Sequence, residues 1–197
     1  MKQEIQDRFD LNVRRVKNLV NIYRTQLSGP GRGRRGHQET DVLRAAIVLL
    51  HAATEDVLRS LAYWKLPAAN ADVLELIPLV GGAATKFNLG ALTAHRGKTV
   101  DAVLKESVDA SLERSNYNNA AEVNRILTSI GINTAPLAPY MALLETTMKR
   151  RHQIVHRADA NPNAGRGNHR VSSIGPGMLD NWIANVENFV AATLAQV

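Results

Sequence analysis

Residues 41–65 read DVLRAAIVLLHAATEDVLRSLAYWK. Apolar side chains recur there at intervals of three and four residues, which is the spacing of one helix face. The positions of this face are Val42, Ala45, Ala46, Leu49, Leu50, Ala53, Val57, Leu58 and Leu61. Thr40 suits the N-cap of such a helix, and Pro67 ends it. The pattern predicts a long helix with a wide buried face, in which His51, Glu55 and Asp56 are embedded.

Another amphipathic helix is predicted on the N-terminal side, over residues 2–27. Its apolar positions are Ile5, Phe9, Val13, Val16, Leu19 or Val20, Tyr23 and Leu27. Residues 28–38 then bring Gly and Pro, which do not sustain a helix, together with Arg32, Arg34 and Arg35. We interpret this segment as a flexible basic linker, which either stays in solvent or acts as an arm that contacts phosphates.

Helical patterns continue to the C-terminus. Shorter helices are predicted near residues 71–76, 100–112 and 120–130, and longer ones over 135–157 and 176–195. The inward positions of the last helix are Leu179, Trp182, Ile183, Val186, Phe189 and Val190. Strand-like alternation is nearly absent, with one weak candidate at 170–174. We therefore predict an all-α bundle of long antiparallel helices with additional short ones, forming a single domain over residues 1–197.

The composition favours a folded protein with a polyanionic partner. Hydrophobic residues make up 45% of the 197, and the formal net charge is +6. A basic chain attracts phosphate backbones over long distances. The chain has no cysteine, which excludes disulfides, thiolate metal sites and a cysteine nucleophile. We expect a cytoplasmic protein without a membrane span, because no apolar run is long enough and the first ten residues do not resemble a secretory signal.

The helix predicted over 135–157 has charged or polar residues at a position where its apolar spacing predicts a buried one. Its apolar stripe is Met141, Leu144, Met148 and Val155. The same spacing calls for an apolar residue at 151 or 152, where the chain has Arg151 and His152. Two ionisable side chains at the edge of a buried seam are costly unless they are paired or functional. His156 follows one turn after His152, whereas Arg151 and His156 are separated by about 140° around the helix.

An arginine and a histidine are suited to cutting RNA without a metal or other cofactor. Cleavage by the ribose 2′-hydroxyl needs one group to remove a proton and one to protonate the leaving 5′-oxygen, and imidazoles do both near neutral pH. A guanidinium stabilises the extra negative charge of the phosphorane transition state. The expected products carry a 2′,3′-cyclic phosphate and a 5′-hydroxyl.

The run Arg-His-Gln-Ile-Val-His at 151–156 resembles the Arg-polar-x-x-x-His motif of HEPN-superfamily ribonucleases. The continuation to Asp159 and the helix LRAAIVLLHAATEDVLRSL at 43–61 resemble the RiboL-PSP-HEPN branch. The resemblance covers the order of elements from about residue 40 onward. It implies a HEPN-like bundle and a homodimer in which two motif-bearing helices face each other across a composite cleft.

The resemblance also implies roles for individual residues. Arg151 would contact the scissile phosphate, His152 would orient the site and His156 would transfer protons. Glu55 on the earlier helix matches the supporting acidic residue of such sites better than Asp56 does. The remaining candidates for RNA contact are Arg150, Arg157, Arg32, Arg34, Arg35 and Arg166. Family members commonly act as toxins or antiviral effectors, which implies an antitoxin or defence-system partner.

Three alternatives remain open at this point. The basic residues at 149–152 can simply favour the negative end of the helix dipole. His152 and His156 have the spacing of a zinc-ligand pair, although Gln153 stands where a zinc protease needs Glu. The same fold can also serve as a non-catalytic RNA-binding or protein-interaction module. Outside the motif, we interpret His51 as a core or interface histidine, with the option that it faces the cleft.

Overall fold

Two long N-terminal helices pack against each other along their length. The structure, a computed structural model, describes residues 1–29, 37–80, 89–113, 115, 117–161 and 171–197. Helix α1 (Lys2–Ile22) continues into a π-helical turn (Tyr23–Leu27), and α2 spans His37–Lys65. The predicted apolar stripe of α1 is buried at Ile5, Phe9, Val13, Val16, Val20 and Tyr23. The helix predicted over 2–27 is therefore confirmed.

Helix α2 begins four residues before the predicted start, so Thr40 lies inside the helix and is not its N-cap. The Thr40 hydroxyl instead accepts a hydrogen bond from Nη1 of Arg44 at 2.7 Å. Ala45 was predicted to be buried and is exposed, whereas Leu43 and Ile47 are fully buried. The buried face of α2 differs from one stripe because the helix contacts α1 and four other helices introduced below. Of the predicted linker, residues 30–36 lie outside the described residues, and its last two residues belong to α2.

The C-terminal half of the core is formed by α6 (Ala138–Arg157) and α7 (Pro176–Leu194), which contact each other and α2. A 3-10 turn, Ala135–Leu137, leads into α6. All six predicted inward positions of α7 are buried. On α6, Leu144 and Met148 are buried as predicted, but Val155 is 48% exposed. The predicted stripe therefore ends before the last turn of α6, since no described helix covers Val155.

Shorter helices lie between these two pairs. They are α3 (Ala71–Leu74), α4 (Val100–Leu112) and α5 (Ala120–Ser129), with 3-10 turns at Leu66–Ala68 and Leu89–His95. Thr99 and Asn119 cap α4 and α5 with side-chain oxygens that accept backbone N–H groups. A second small apolar cluster joins Ala62 and Leu66 to Val108 and Leu112.

The described part of the chain contains seven α-helices and no strand, which confirms the all-α prediction. A single β-bridge between Ala160 and Val171 is all that is found near the weak strand candidate at 170–174. None of the described helices combines the length and apolar character needed to cross a membrane.

Candidate active site

Arg151 lies in the seam between α6 and α2. Leu144 and Met148 of α6 are buried against the core, and Arg151 continues their stripe by one further turn. Its side chain is half-buried, and its Nε atom is buried without a hydrogen-bond partner. No hydrogen bond or ion pair joins its guanidinium to any residue that the structure describes. The sequence pattern therefore placed Arg151 correctly at the edge of a packed seam.

Helix α2 brings two titratable side chains to the same seam. His51 is 3% exposed, and its Nε2 lies 3.8 Å from Oε2 of Glu55, one turn further along α2. Burial lowers the pKa of His51 below its ordinary value, Glu55 opposes this shift, and the positive charge of Arg151 adds to it. Glu55 and Arg151 thus both act on His51, one from α2 and the other from α6. His51 is buried as interpreted, but its Nε2 has no hydrogen-bond partner among the described residues.

Glu55 also faces a second arginine. Its Oε1 lies 3.4 Å from Nη2 of Arg59, whose guanidinium donates to the carbonyl oxygens of Leu112 (2.9 Å) and Ser115. Arg59 is thereby held against the end of α4. Burial raises the pKa of the neighbouring Tyr117 to about 12, so this phenol stays protonated at neutral pH. These contacts hold Glu55 beside the seam, at the position predicted for the supporting acidic residue.

His152 and His156 lie on a different side of α6. Both are exposed, and their ring centroids are 4.5 Å apart. Arg151 and His156, which helix geometry separates by about 140°, differ in burial: Arg151 is half-buried towards α2, whereas His156 is exposed to solvent. No hydrogen bond joins Arg151 to His156 among the described residues. The chain alone therefore does not bring these two predicted site residues together.

Arg150 has a different environment from that of Arg151. Its Nη2 donates to Oδ2 of Asp159 at 2.8 Å and to the carbonyl oxygens of Ser172 and Ser173 at 3.0 and 3.1 Å. These are internal contacts that hold the end of α6 to the segment before α7. RNA binding by Arg150 remains a prediction made from the sequence alone.

The end of α6 is fixed by a buried ionic cluster of Arg44, Arg150 and Asp159. The Asp159 side chain is fully buried, and Oδ2 also accepts from Nε of Arg44 at 2.7 Å. Nη2 of Arg44 reaches the carbonyl oxygen of Ser172 at 3.1 Å. Ala158 and Asp159 both adopt left-handed backbone conformations, with φ of 47° and 58°, which stops the helix. Sequence reasoning missed Arg44 and Asp159, although a charged residue among the apolar positions of α2 is a usable signal of a buried ion pair.

The remaining predicted residues fall outside this site or outside the described residues. Arg157 is exposed at the end of α6. Arg32, Arg34, Arg35 and Arg166 lie outside the described residues. Asp56, the weaker acidic candidate, forms an ion pair with Arg8 of α1 at 3.1 Å and faces away from the seam. No group of three or more His, Asp or Glu side chains suited to hold a metal is found among the described residues.

Comparisons of the chain with protein-family models, with curated proteins and with solved structures gave no match.

Proposed function

We propose that the protein is a metal-independent endoribonuclease whose active site is built from Arg151 and His156 of α6. The observation that carries this proposal is the contrast between two consecutive arginines. Arg150 is bound to Asp159 and to backbone carbonyls, whereas the half-buried guanidinium of Arg151 has no partner among the described residues. A guanidinium that is held in a seam without a counterion is suited to bind a phosphate.

The proposed reaction is an internal displacement at phosphorus. The ribose 2′-oxygen bonds to phosphorus while its proton passes to an imidazole, and the bond from phosphorus to the 5′-oxygen breaks as the protonated imidazole gives that oxygen a proton. Arg151 stabilises the negative charge that develops on the phosphoryl oxygens. The balance leaves a 2′,3′-cyclic phosphate on one fragment and a 5′-hydroxyl on the other, with no redox change and no external nucleophile.

A homodimer would bring Arg151 and His156 into one site. Since Arg151 faces α2 and His156 faces solvent in one protomer, a second α6 packed against the first would supply the missing side chain. Each composite site would then combine Arg151 of one protomer with the partner's His156, which accepts the proton of the 2′-hydroxyl and returns it to the 5′-oxygen. Glu55 is the supporting acidic residue of α2, beside His51, and His152 orients the neighbouring His156 through their ring contact.

The resemblance of the 151–156 motif to HEPN ribonucleases supports the same proposal and gives it a biological setting. In that setting the protein is a toxin or an antiviral effector, held in check by a partner protein. The net charge of +6 is in keeping with an RNA substrate.

The test is cleavage of total cellular RNA in the presence of EDTA by the wild type, His156→Ala and Arg151→Ala. We expect discrete fragments with cyclic phosphate ends from the wild type alone. His95→Ala, which changes a histidine of the 3-10 turn before α4, is the matched control and should cut like the wild type. Equal cleavage by all four proteins would reject the assignment. Salt-dependent RNA binding without cleavage would favour the alternative, a non-catalytic RNA-binding module of the same fold.

A further inference from the structure

Nε2 of His51 and Nε of Arg151 are both buried in the seam between α2 and α6 and have no hydrogen-bond partner among the described residues. Nε of Arg150 and Oδ1 of Asp159, in the ionic cluster at the end of α6, are also unpaired, but both of these side chains form other hydrogen bonds there. A buried polar atom without a partner costs free energy, and such atoms are uncommon in folded proteins. The presence of the His51 and Arg151 atoms at one seam, beside the proposed phosphate site, calls for a common explanation.

The two atoms are chemically complementary. The Nε of arginine always carries a hydrogen and can only donate, whereas Nε2 of a neutral imidazole accepts when the ring proton is on Nδ1. One hydrogen bond between them would satisfy both. Glu55 offers less, because its Oε2 is 3.8 Å from Nε2, beyond hydrogen-bond distance. A bond from His51 to Glu55 would also leave Nε of Arg151 unsatisfied.

We propose that His51 is a positioning residue of the active site, whose Nε2 accepts a hydrogen bond from Nε–H of Arg151 when RNA is bound. The bond fixes the plane of the guanidinium, so that its two outer nitrogens face the scissile phosphate. This inference rests on the proposed function and adds a residue outside the motif at 151–156. His51 acts through Arg151 and does not itself touch the RNA.

The electrostatics of the seam keep His51 in the form that accepts. The charged groups that act on it are Glu55 on its own helix and, among the helices packed against α2, Arg151 on α6. Burial and Arg151 lower the pKa of His51 and outweigh the opposing effect of Glu55. The imidazole is therefore neutral at neutral pH. Acidification through this lowered pKa protonates Nε2, removes the acceptor and places a second cation beside Arg151.

The proton position can be measured without any cleavage. We would record nitrogen NMR spectra of the histidine rings in the full chain, bound to a mixed-sequence DNA oligonucleotide that lacks the reacting 2′-hydroxyl. The expected result is a proton on Nδ1 of His51 and an unprotonated Nε2, whose resonance shifts in Arg151→Gln. A proton on Nε2, or a resonance that does not respond to Arg151→Gln, would overturn the proposal.

Two substitutions test the functional consequence. His51→Leu removes the acceptor and should lower kcat by about 10–100-fold with a smaller change in KM, the effect of losing one hydrogen bond to a charged group. His51→Gln keeps an acceptor oxygen and should retain most of the activity. Its rate should also lack the loss on the acid side that protonation of His51 causes in the wild type. His95→Gln is the control for a histidine substitution away from the seam.

The outcomes separate this inference from the proposed function. If the wild type does not cut RNA, or cuts equally well as His156→Ala, the proposed function fails and the NMR result alone decides the state of His51. If cleavage requires His156 but His51→Leu matches the wild type in rate and pH profile, the positioning role is rejected and the nuclease assignment stands.

Discussion

Arg150 and Arg151 are adjacent in the chain, yet their side chains lie in different environments. Consecutive side chains leave a helix about 100° apart. That rotation points Arg150 at the carboxylate of Asp159 and Arg151 at the seam with α2, where it acts on His51. The charge of Arg150 is neutralised by a carboxylate inside the protein, whereas that of Arg151 has no counterion among the described residues. The pair therefore allows a matched comparison of a structural cation with the cation of the proposed site.

Arg150→Gln should mainly affect the stability of the protein, and Arg151→Gln should mainly affect the cleavage of RNA. Arg150→Gln removes charge-assisted hydrogen bonds and should lower the free energy of unfolding by about 1.5–3 kcal/mol. Arg151→Gln should leave the stability nearly unchanged and reduce RNA cleavage by about 10²–10³-fold, as loss of a donor to a transition-state oxyanion does. Urea unfolding and initial cleavage rates check the two halves. A large loss of stability in Arg151→Gln would show that Arg151 serves the fold.

Asp159→Ala should be among the most destabilising single changes in the chain. It leaves Arg44 and Arg150 in a buried site without their shared carboxylate. Breaking a buried ion pair from one side costs about 3–5 kcal/mol. Urea unfolding should show this loss, and Asp56→Ala is the matched control, because its ion pair with Arg8 is exposed. Similar values for both variants would contradict the importance given to the buried cluster.

The sequence predicted one part of this residue-scale picture and missed another. The stripe of Leu144 and Met148 predicts that residue 151 lies at the seam, because helical spacing is a local property. The pairing of Arg44 with Asp159 joins residues 115 positions apart. No local pattern encodes such a contact. The orphan atoms of His51 and Arg151 are likewise visible only once α2 and α6 are packed.

At the scale of the helices, spacing and helix-ending residues carried most of the prediction. The core faces of α1 and α7 follow from their apolar spacing alone. Boundaries were less predictable where tertiary contacts override local signals. Helix α2 starts at His37 rather than after Thr40, and Thr40 serves Arg44 instead of capping the helix. Val155 continues the apolar spacing of α6 but is exposed. Whether a residue is buried depends on the neighbouring elements as well as on the spacing.

The junction of α5 and α6 gives a pH-dependent prediction. Oε2 of Glu145 accepts from the backbone N–H of Ala120, the first residue of α5, at 2.6 Å. This hydrogen bond, followed by the effect of Lys149, lowers the pKa of Glu145 below its ordinary value. A lowered folded-state pKa contributes stability that is present above the unfolded pKa and lost as the pH falls through the folded one.

Glu145→Gln should therefore be less stable than the wild type near neutral pH, and the difference should shrink in acid. Urea unfolding at about pH 7 and about pH 3 measures both differences. Glu113→Gln, at the C-terminal end of α4, is a control without a described ion pair or hydrogen bond to its carboxylate. A difference between Glu145→Gln and the wild type that is independent of pH would contradict the role of the Glu145 charge.

At the scale of the whole molecule, the proposed site is complete only if two protomers share it. The all-α architecture was predictable from the sequence, but the relation between copies of the chain is not a property of one sequence pattern. The geometric argument is that Arg151 and His156 face different directions from one helix. This leads to a test of complementation between two inactive proteins.

Mixing Arg151→Gln with His156→Ala should restore activity if the site is composite. A mixed dimer combines an intact Arg151 from one chain with an intact His156 from the other. Random exchange should recover about a quarter of the wild-type rate, since half the dimers are mixed and each has one working site. Analytical ultracentrifugation establishes the dimer, and each variant alone is the control. Recovery of no activity from a confirmed mixed dimer would place both residues in one protomer.

The way in which α6 ends has a consequence for the order in which the protein folds. Ala158 and Asp159 turn left-handed without being glycine, so the local sequence does not favour this ending, and Arg44 must hold it from 115 residues away. Contacts between residues so far apart in the chain cost more loop-closure entropy than local contacts do. During synthesis, the first two helices leave the ribosome well before their partner at Asp159. In the proposed nuclease, the end of α6 that carries His156 is therefore fixed only after the chain from Arg44 to Asp159 has been made and has folded together.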